Sequence, residues 1–143
     1  MLVSTKGRYA LRVMIDLAEN STGGFIPLKD IAGRQDISEK YLENIISMLT
    51  KAGMLEGLRG KGGGYKLTQT PEHYTVGSIL KVTEGSLAPV SCLAEDSNSC
   101  KNASDCKTLP MWKRLDKMID DFFEGITLAD IAFPNHGGGD YVI

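Results

Sequence analysis

Histidine is scarce in this chain: of 143 residues only His73 and His136 carry an imidazole. Cysteine is confined to one short stretch, at Cys92, Cys100 and Cys106, and no Cys-x-x-Cys pair occurs. No apolar run approaches the ~20 residues that cross a bilayer. Each shortage closes a class of function. With only two histidines, and with no Ser/His/Asp constellation or second metal set to be seen, an enzyme or an electron carrier is disfavoured against the requirements of a reaction site. Without paired short-spaced thiols, a four-coordinate structural zinc site loses its usual ligand pattern. The opening Met-Leu-Val-Ser-Thr-Lys-Gly-Arg-Tyr runs into a helical pattern and does not read as a leader, and the chain is expected in the cytoplasm, with no membrane partner. Internal repeats are absent as well.

What is present is an ordinary folded composition, 42% hydrophobic and 24% charged, with charge unevenly placed. Residues 1–70 hold ten Lys/Arg against seven Asp/Glu, whereas residues 71–143 hold six against eleven. The net charge of −2 therefore hides a basic front and an acidic back, as expected of a module that meets phosphate with one end.

The front half reads as three helices and a hairpin. Ser4 or Thr5 caps a first helix with Ala10, Val13, Met14, Leu17 and Ala18 at helical spacing, ended by Asn20 to Gly24. Pro27 opens a short second helix with Leu28, Ile31 and Ala32 inward. Gln35-Asp36-Ile37 turns the chain, Ser38 caps a third helix with Glu39 in its first turn, and Gly53 closes it. On that third helix Leu42, Ile45, Ile46 and Leu49 share one face, and Lys40, Glu43, Asn44, Ser47 and Lys51 the other. Taken alone, the polar face suits a solvated amphipathic helix. Its setting favours another use: a short helix, a tight turn and a longer helix form a helix-turn-helix, whose outward side chains read base edges. Directly after it, Met54 to Leu67 gives two strand-like pieces around a glycine-rich tip bearing Arg59 and Lys61, placed as a wing is placed on DNA. An arginine at such a tip suits a narrow minor groove. The glycine run does not cradle a nucleotide: Lys61 is followed by three glycines and a strand, neither a P-loop nor a dinucleotide fingerprint.

Pro71 begins a connector, and Thr75 caps a fourth helix that buries Val76, Ile79, Leu80 and Thr83 before Gly85. A loop follows to Lys107. Thr108 then caps a long helix with Pro110 in its first turn. Met111, Leu115, Met118 and Phe122 form a heptad-like row widened by Trp112, Ile119 and Phe123, which suits a subunit interface better than packing within one domain. Thr127-Leu128-Ala129-Asp130 reads as a capping box, and a loose tail starts at Pro134. The expected fold is mainly α with a small β-hairpin wing, a winged helix-turn-helix with a long dimerisation helix. Its parts are a DNA-binding domain at 1–85, a cysteine loop at 86–107, the dimerisation and last short helices at 108–132, and a tail at 133–143.

Three thiols in a polar stretch of a chain expected in a reducing compartment point to metal or cluster ligation, with redox-switch thiols as the other reading. Their spacing, Cys92-x7-Cys100-x5-Cys106, leaves room to wrap an iron–sulfur cluster.

Ser-Thr-Lys-Gly-Arg-Tyr-Ala at 4–10, Tyr-Leu-Glu at 41–43, Arg-Gly-Lys-Gly-Gly-Gly-Tyr at 59–65, the three cysteines and Ile-Thr-Leu-Ala-Asp-Ile at 126–131 resemble the IscR/NsrR/RirA/CymR-type family of winged helix-turn-helix transcription regulators, closest to its iron–sulfur members. The resemblance spans roughly residues 1–132. It implies a homodimer on a pseudo-palindromic double-stranded operator. Ser38, Lys40, Tyr41, Glu43 and Asn44 would contact bases or phosphates, Arg59 would enter the minor groove with Lys61 beside it, and Cys92, Cys100 and Cys106 would hold a two-iron or four-iron cluster. The chain departs from pattern at the fourth ligand. IscR-like members place histidine three residues past the third cysteine, where Leu109 stands, and some NsrR-like members use an aspartate in the region of Arg8. Glu95, Asp96, Asp105, a small thiol or water are the remaining candidates. The implied function is cluster-dependent regulation of transcription, as repressor or with the opposite sign, in response to iron, oxygen or nitric oxide. A cluster-free regulator governed by a partner protein or by cysteine oxidation, as in the CymR branch, is the alternative.

Overall fold

The computed structural model describes residues 3–93 and 106–134. Helix α1, Thr5–Glu19, is capped by Ser4, whose Oγ accepts from the Gly7 amide at 3.2 Å. It runs through the middle of the fold, touching α2 (Leu28–Gln35), α3 (Glu39–Lys51), α4 (Val76–Glu84) and α6 (Leu128–Ala132). Ala10, Val13, Met14, Leu17 and Ala18 of α1 meet Ile31, Leu42, Ile45, Ile46, Leu49, Ile79 and Leu128 in one core, as expected, while Leu28, also expected inward, is half-buried against it. Each large aliphatic chain so buried contributes about 1.5–3 kcal/mol relative to exposure.

Between α2 and α3 the chain reverses on Asp36, a non-glycine residue at φ 53°, and Ser38 starts α3 by accepting from the Tyr41 amide. Gly53, at φ 78°, sits just past the C-cap of α3 and releases the chain into the hairpin. Strands β1 (Leu55–Leu58) and β2 (Gly64–Leu67) pair antiparallel, with Leu55 opposite Leu67 and Leu58 opposite Gly64. Ile26, just before α2, adds a separate antiparallel bridge to β2: its amide donates to the Tyr65 carbonyl at 2.9 Å and its carbonyl accepts from the Tyr65 amide at 2.8 Å. The wing is thereby tied to the helix-turn-helix by backbone bonds.

Thr75 and Ser78 form a capping box at the start of α4, and Gly85 ends it. Thr83, expected inward, is half-buried. Helix α5, Leu109–Glu124, packs on α4 through a second, smaller core in which Ile119 and Phe123 meet Val76, Leu80, Leu87 and Ile126. Lys81 of α4 reinforces that joint, donating to Asp120 at 2.6 Å and Glu124 at 3.1 Å, while the Thr75 hydroxyl donates to the other Glu124 oxygen. Thr108 holds the N-cap position of α5 without making the expected side-chain capping bond; its hydroxyl turns to Cys106 instead. Thr127 and Asp130 form the expected capping box of α6, which returns Leu128 to the main core. Among the described residues no helix is long and apolar enough to cross a membrane.

Candidate nucleic-acid interface

The polar stripe of α3 stands outside the fold. Lys40, Glu43, Asn44, Ser47 and Lys51 are all exposed, while the opposite stripe of Leu42, Ile45, Ile46 and Leu49 is sealed in the core. Tyr41 is half-buried, its ring edge-on to Tyr9 with centroids 5.8 Å apart. Ser38 is exposed, and its side-chain oxygen already serves the cap of α3. A helix held this way offers donors and an acceptor on one side and cannot roll without exposing its leucines and isoleucines.

The hairpin tip carries its cations clear of the protein. Gly60 and Gly62 adopt φ 92° and 77°, and the Gly63 amide donates to the Gly60 carbonyl at 3.0 Å, a turn that non-glycine residues resist. Arg59 and Lys61 are exposed and make no ion pair among the described residues. Gly64 lets β2 approach the helix-turn-helix; a Cβ there would lie 2.1 Å from the Ile26 carbonyl oxygen. At the base, the buried Tyr74 hydroxyl donates to the Met54 carbonyl and accepts from the amides of Thr68 and Gln69, all within 2.9–3.0 Å. Glu43, Ser47 and Lys51 of α3 then line one cleft with Leu58 and Arg59 of the wing. Helix and wing form one surface.

Behind that surface lies a polar cluster that the sequence pattern did not disclose. Asp16, on the buried side of α1 at 1% exposure, accepts from Arg34 Nε at 3.0 Å, Arg34 Nη2 at 2.8 Å and Gln35 Nε2 at 2.9 Å. Its carboxylate raises the Arg34 guanidinium above its ordinary range, chiefly through the side-chain hydrogen bonds. Arg12 donates to the Gln35 side chain at 3.1 Å and to the Gln35 carbonyl, and its guanidinium lies 5.0 Å over the Tyr9 ring. The cluster fixes the last turn of α2 on α1, immediately before the helix-turn-helix reversal. Asp16 falls among the apolar positions of α1, and that is the one trace it leaves in the sequence.

Of the three cysteines, Cys92 and Cys106 are described and half-buried; Cys100 lies outside the described residues, as do Glu95, Asp96, Asp105 and His136. Cys92 sits on a short 3₁₀ turn, Ser91–Leu93, and Cys106 just before α5. The Thr108 hydroxyl, 3.4 Å from Cys106 Sγ, and the backbone amides of Thr108 and Leu109 hold that thiol below its ordinary pKa. Leu109 is buried, Arg8 is exposed with a guanidinium bond to Thr5, and His73 is exposed and bonded to Thr70. Among the described residues no group of three or more His, Cys, Asp or Glu is poised around a metal position.

Comparison with known proteins fits this geometry. Residues 3–134 match the family model Rrf2, described as an iron-dependent transcriptional regulator. The chain is 36% identical over 135 residues to the HTH-type transcriptional regulator IscR of Aliivibrio salmonicida, across 94% of this chain and 79% of that protein. Among solved structures it resembles CymR, the global cysteine regulator of B. subtilis, with a TM-score of 0.73 and 37% identity over 92% of this chain and 96% of that one. It also resembles T. potens IscR, with a TM-score of 0.70 and 35% identity over 96% of this chain and 93% of that one.

Proposed function

This chain belongs to the Rrf2 family of DNA-binding transcriptional regulators, and from that premise we propose that it is a homodimeric switch in which a thiolate-held iron–sulfur cluster governs how two winged heads sit on an operator. The observation that carries the DNA half of this reading is the single cleft shared by the polar face of α3 and the cationic wing. Ser38, Lys40, Tyr41, Glu43 and Asn44 are assigned to the major groove and its flanking phosphates, and Arg59 and Lys61 to the minor groove beside it. Glu43 accepts from a cytosine amine and repels phosphate, so it selects among sites.

Dimerisation is assigned to α5. Met111, Leu115, Met118 and Phe122 are 54%, 37%, 60% and 50% exposed and lie on one face, away from the side that packs on α4. Two such faces in contact place two heads on one duplex with the two-fold symmetry of a pseudo-palindrome.

The donor chemistry fits a cluster. Cys106 is biased towards thiolate by its hydroxyl and amide neighbours, thiolates are the ligands iron–sulfur clusters take, and Cys92 and Cys100 complete a three-sulfur set. When bound, such a group supplies a site responsive to iron supply, oxygen or nitric oxide. The chain's own residues supply the route to the heads. Leu87, a few residues before Cys92, is packed against Val76 and Leu80 of α4, and Cys106 abuts α5, which Lys81 ties to the same helix. Ligation at Cys92 and Cys106 therefore acts on the α4–α5 joint. A coupling of about 1–3 kcal/mol there changes DNA affinity roughly 5- to 150-fold.

Leu109, buried where IscR-like members carry a histidine, and the likeness to CymR favour one second reading: the same DNA-binding machine without a cluster, set by a partner protein or by thiol oxidation. Anaerobic purification with iron and sulfide analysis separates the two. The cluster reading expects a coloured protein, loss of visible absorbance in Cys92→Ala, and altered operator affinity in that variant. A colourless protein after reconstitution, or lost colour with unchanged DNA binding, removes it.

A further inference from the structure

Tyr41 stands in the first turn of α3, where it lines one hollow with Ser38, Lys40 and Asn44. Its hydroxyl has no hydrogen-bond partner among the described residues, so packing alone sets the direction of the ring. That packing comes from α1. The Tyr9 ring meets it at 81° with centroids 5.8 Å apart, the edge-to-face arrangement that aromatic quadrupoles favour. Tyr9 is held in turn by the Arg12 guanidinium, one helical turn along α1 and 5.0 Å over its ring. Arg12 is anchored at two points on the last residue of α2: Nε donates to Gln35 Oε1 at 3.1 Å and Nη2 to the Gln35 carbonyl. The Gln35 amide cannot be turned over, because a carboxylate only accepts and a guanidinium only donates. Nε2 therefore faces buried Asp16, at 2.9 Å, and Oε1 faces Arg12. The contacts run from Asp16 through Gln35, Arg12 and Tyr9 to Tyr41. Little of the fold depends on the far end of that relay: Leu42, Ile45, Ile46 and Leu49 already seal α3 into the core, while Arg12 is exposed and the two tyrosines half-buried. What the relay orders is a side chain of the DNA face.

We propose that Tyr9 and Arg12 are positioning residues for DNA recognition, which hold the Tyr41 ring in one orientation before the duplex arrives. This role rests on the DNA-binding reading above and adds two residues of α1 that act through Tyr41 and not by touching DNA. A tyrosine free at the start of a helix samples several rotamers, and selecting one of them on binding lowers affinity. Held against Tyr9, Tyr41 meets the duplex already ordered, which is worth about threefold to tenfold in affinity per head.

The test uses the full chain, purified anaerobically, on a duplex enriched from a mixed-sequence pool by in vitro selection. Tyr9→Leu keeps an apolar side chain on α1 but removes the ring, and affinity is expected to fall about threefold to tenfold per head. Tyr9→Phe, which keeps the ring, binds as the wild type does. Arg12→Met keeps a long side chain without the guanidinium; it weakens binding in the same sense, with the slope of log affinity against log salt unchanged. The Tyr41 ring-proton resonances of the free chain move in that variant. In a Tyr41→Ala background neither Tyr9→Leu nor Arg12→Met weakens binding further, since no ring is left to position. Losses that persist in full in that background mark a merely structural role and overturn the proposal. So does wild-type affinity in Tyr9→Leu or in Tyr41→Ala. A salt slope that falls by about 0.9 per head in Arg12→Met overturns it too, since Arg12 is then itself a phosphate contact. A wild-type chain that binds no duplex of the pool removes this role and the DNA-binding reading together.

Discussion

Replacing Arg34 with alanine is expected to destabilise the protein more than replacing its partner Asp16, although the two share one ion pair. The difference lies in what each deletion strands. The Asp16 side chain is 1% exposed and that of Arg34 39%. In Arg34→Ala the carboxylate is left on the buried side of α1 with one remaining donor, Gln35 Nε2. An uncompensated buried charge of this kind costs about 3–5 kcal/mol. In Asp16→Ala the guanidinium swings into solvent, and the loss is that of hydrogen bonds to a charged group plus a small void, about 1–3 kcal/mol. The double variant, having no stranded charge, is expected to be more stable than Arg34→Ala alone. Urea unfolding of the metal-free chain at fixed concentration measures all three. At an m-value of about 2 kcal/mol per M, a loss of about 4 kcal/mol lowers the midpoint by about 2 M. The reasoning is refuted if Asp16→Ala proves the more damaging, or if the double variant is worse than either single one.

Three further outcomes test other parts of the fold. Gly64→Ala drives a Cβ to 2.1 Å from the Ile26 carbonyl oxygen, so the wing is expected to detach from the helix-turn-helix. Hydrogen exchange should then quicken at Tyr65, with DNA affinity falling to the level of Arg59→Ala while the helical circular dichroism signal holds. Met118→Asp places a charge in the middle of the exposed α5 row and is expected to yield a monomer by sedimentation; a persistent dimer would move the interface elsewhere. Glu43→Ala is expected to flatten the ranking of operator variants while raising affinity for non-specific duplex, measured by anisotropy on a variant panel, and an unchanged ranking contradicts the assigned role.

Much of the fold was legible in order along the chain because its determinants are local. Apolar spacing over Ala10 to Ala18 and over Leu42 to Leu49, the caps at Ser38, Thr75 and Thr127, and the glycines around Arg59 each act within a turn or two. They give helices, strand ends and the exposed stripe of α3 without reference to the rest of the molecule. Thr108 shows where local reading slips: a threonine before Leu-Pro looks like a cap, yet its hydroxyl is drawn to the Cys106 thiol.

What only the folded chain decided joins residues far apart in sequence. Asp16 meets Arg34 and Gln35, Tyr74 pins Met54, Lys81 clasps Asp120 and Glu124, and Glu84 accepts from the amide and hydroxyl of Ser4. A carboxylate among apolar helix positions has no partner until another element is packed against it, and many distant residues are chemically able to fill that role. Periodicity sets which side of a helix is buried; the identity of what it is buried against follows from loop closure and shape, which are properties of the whole chain.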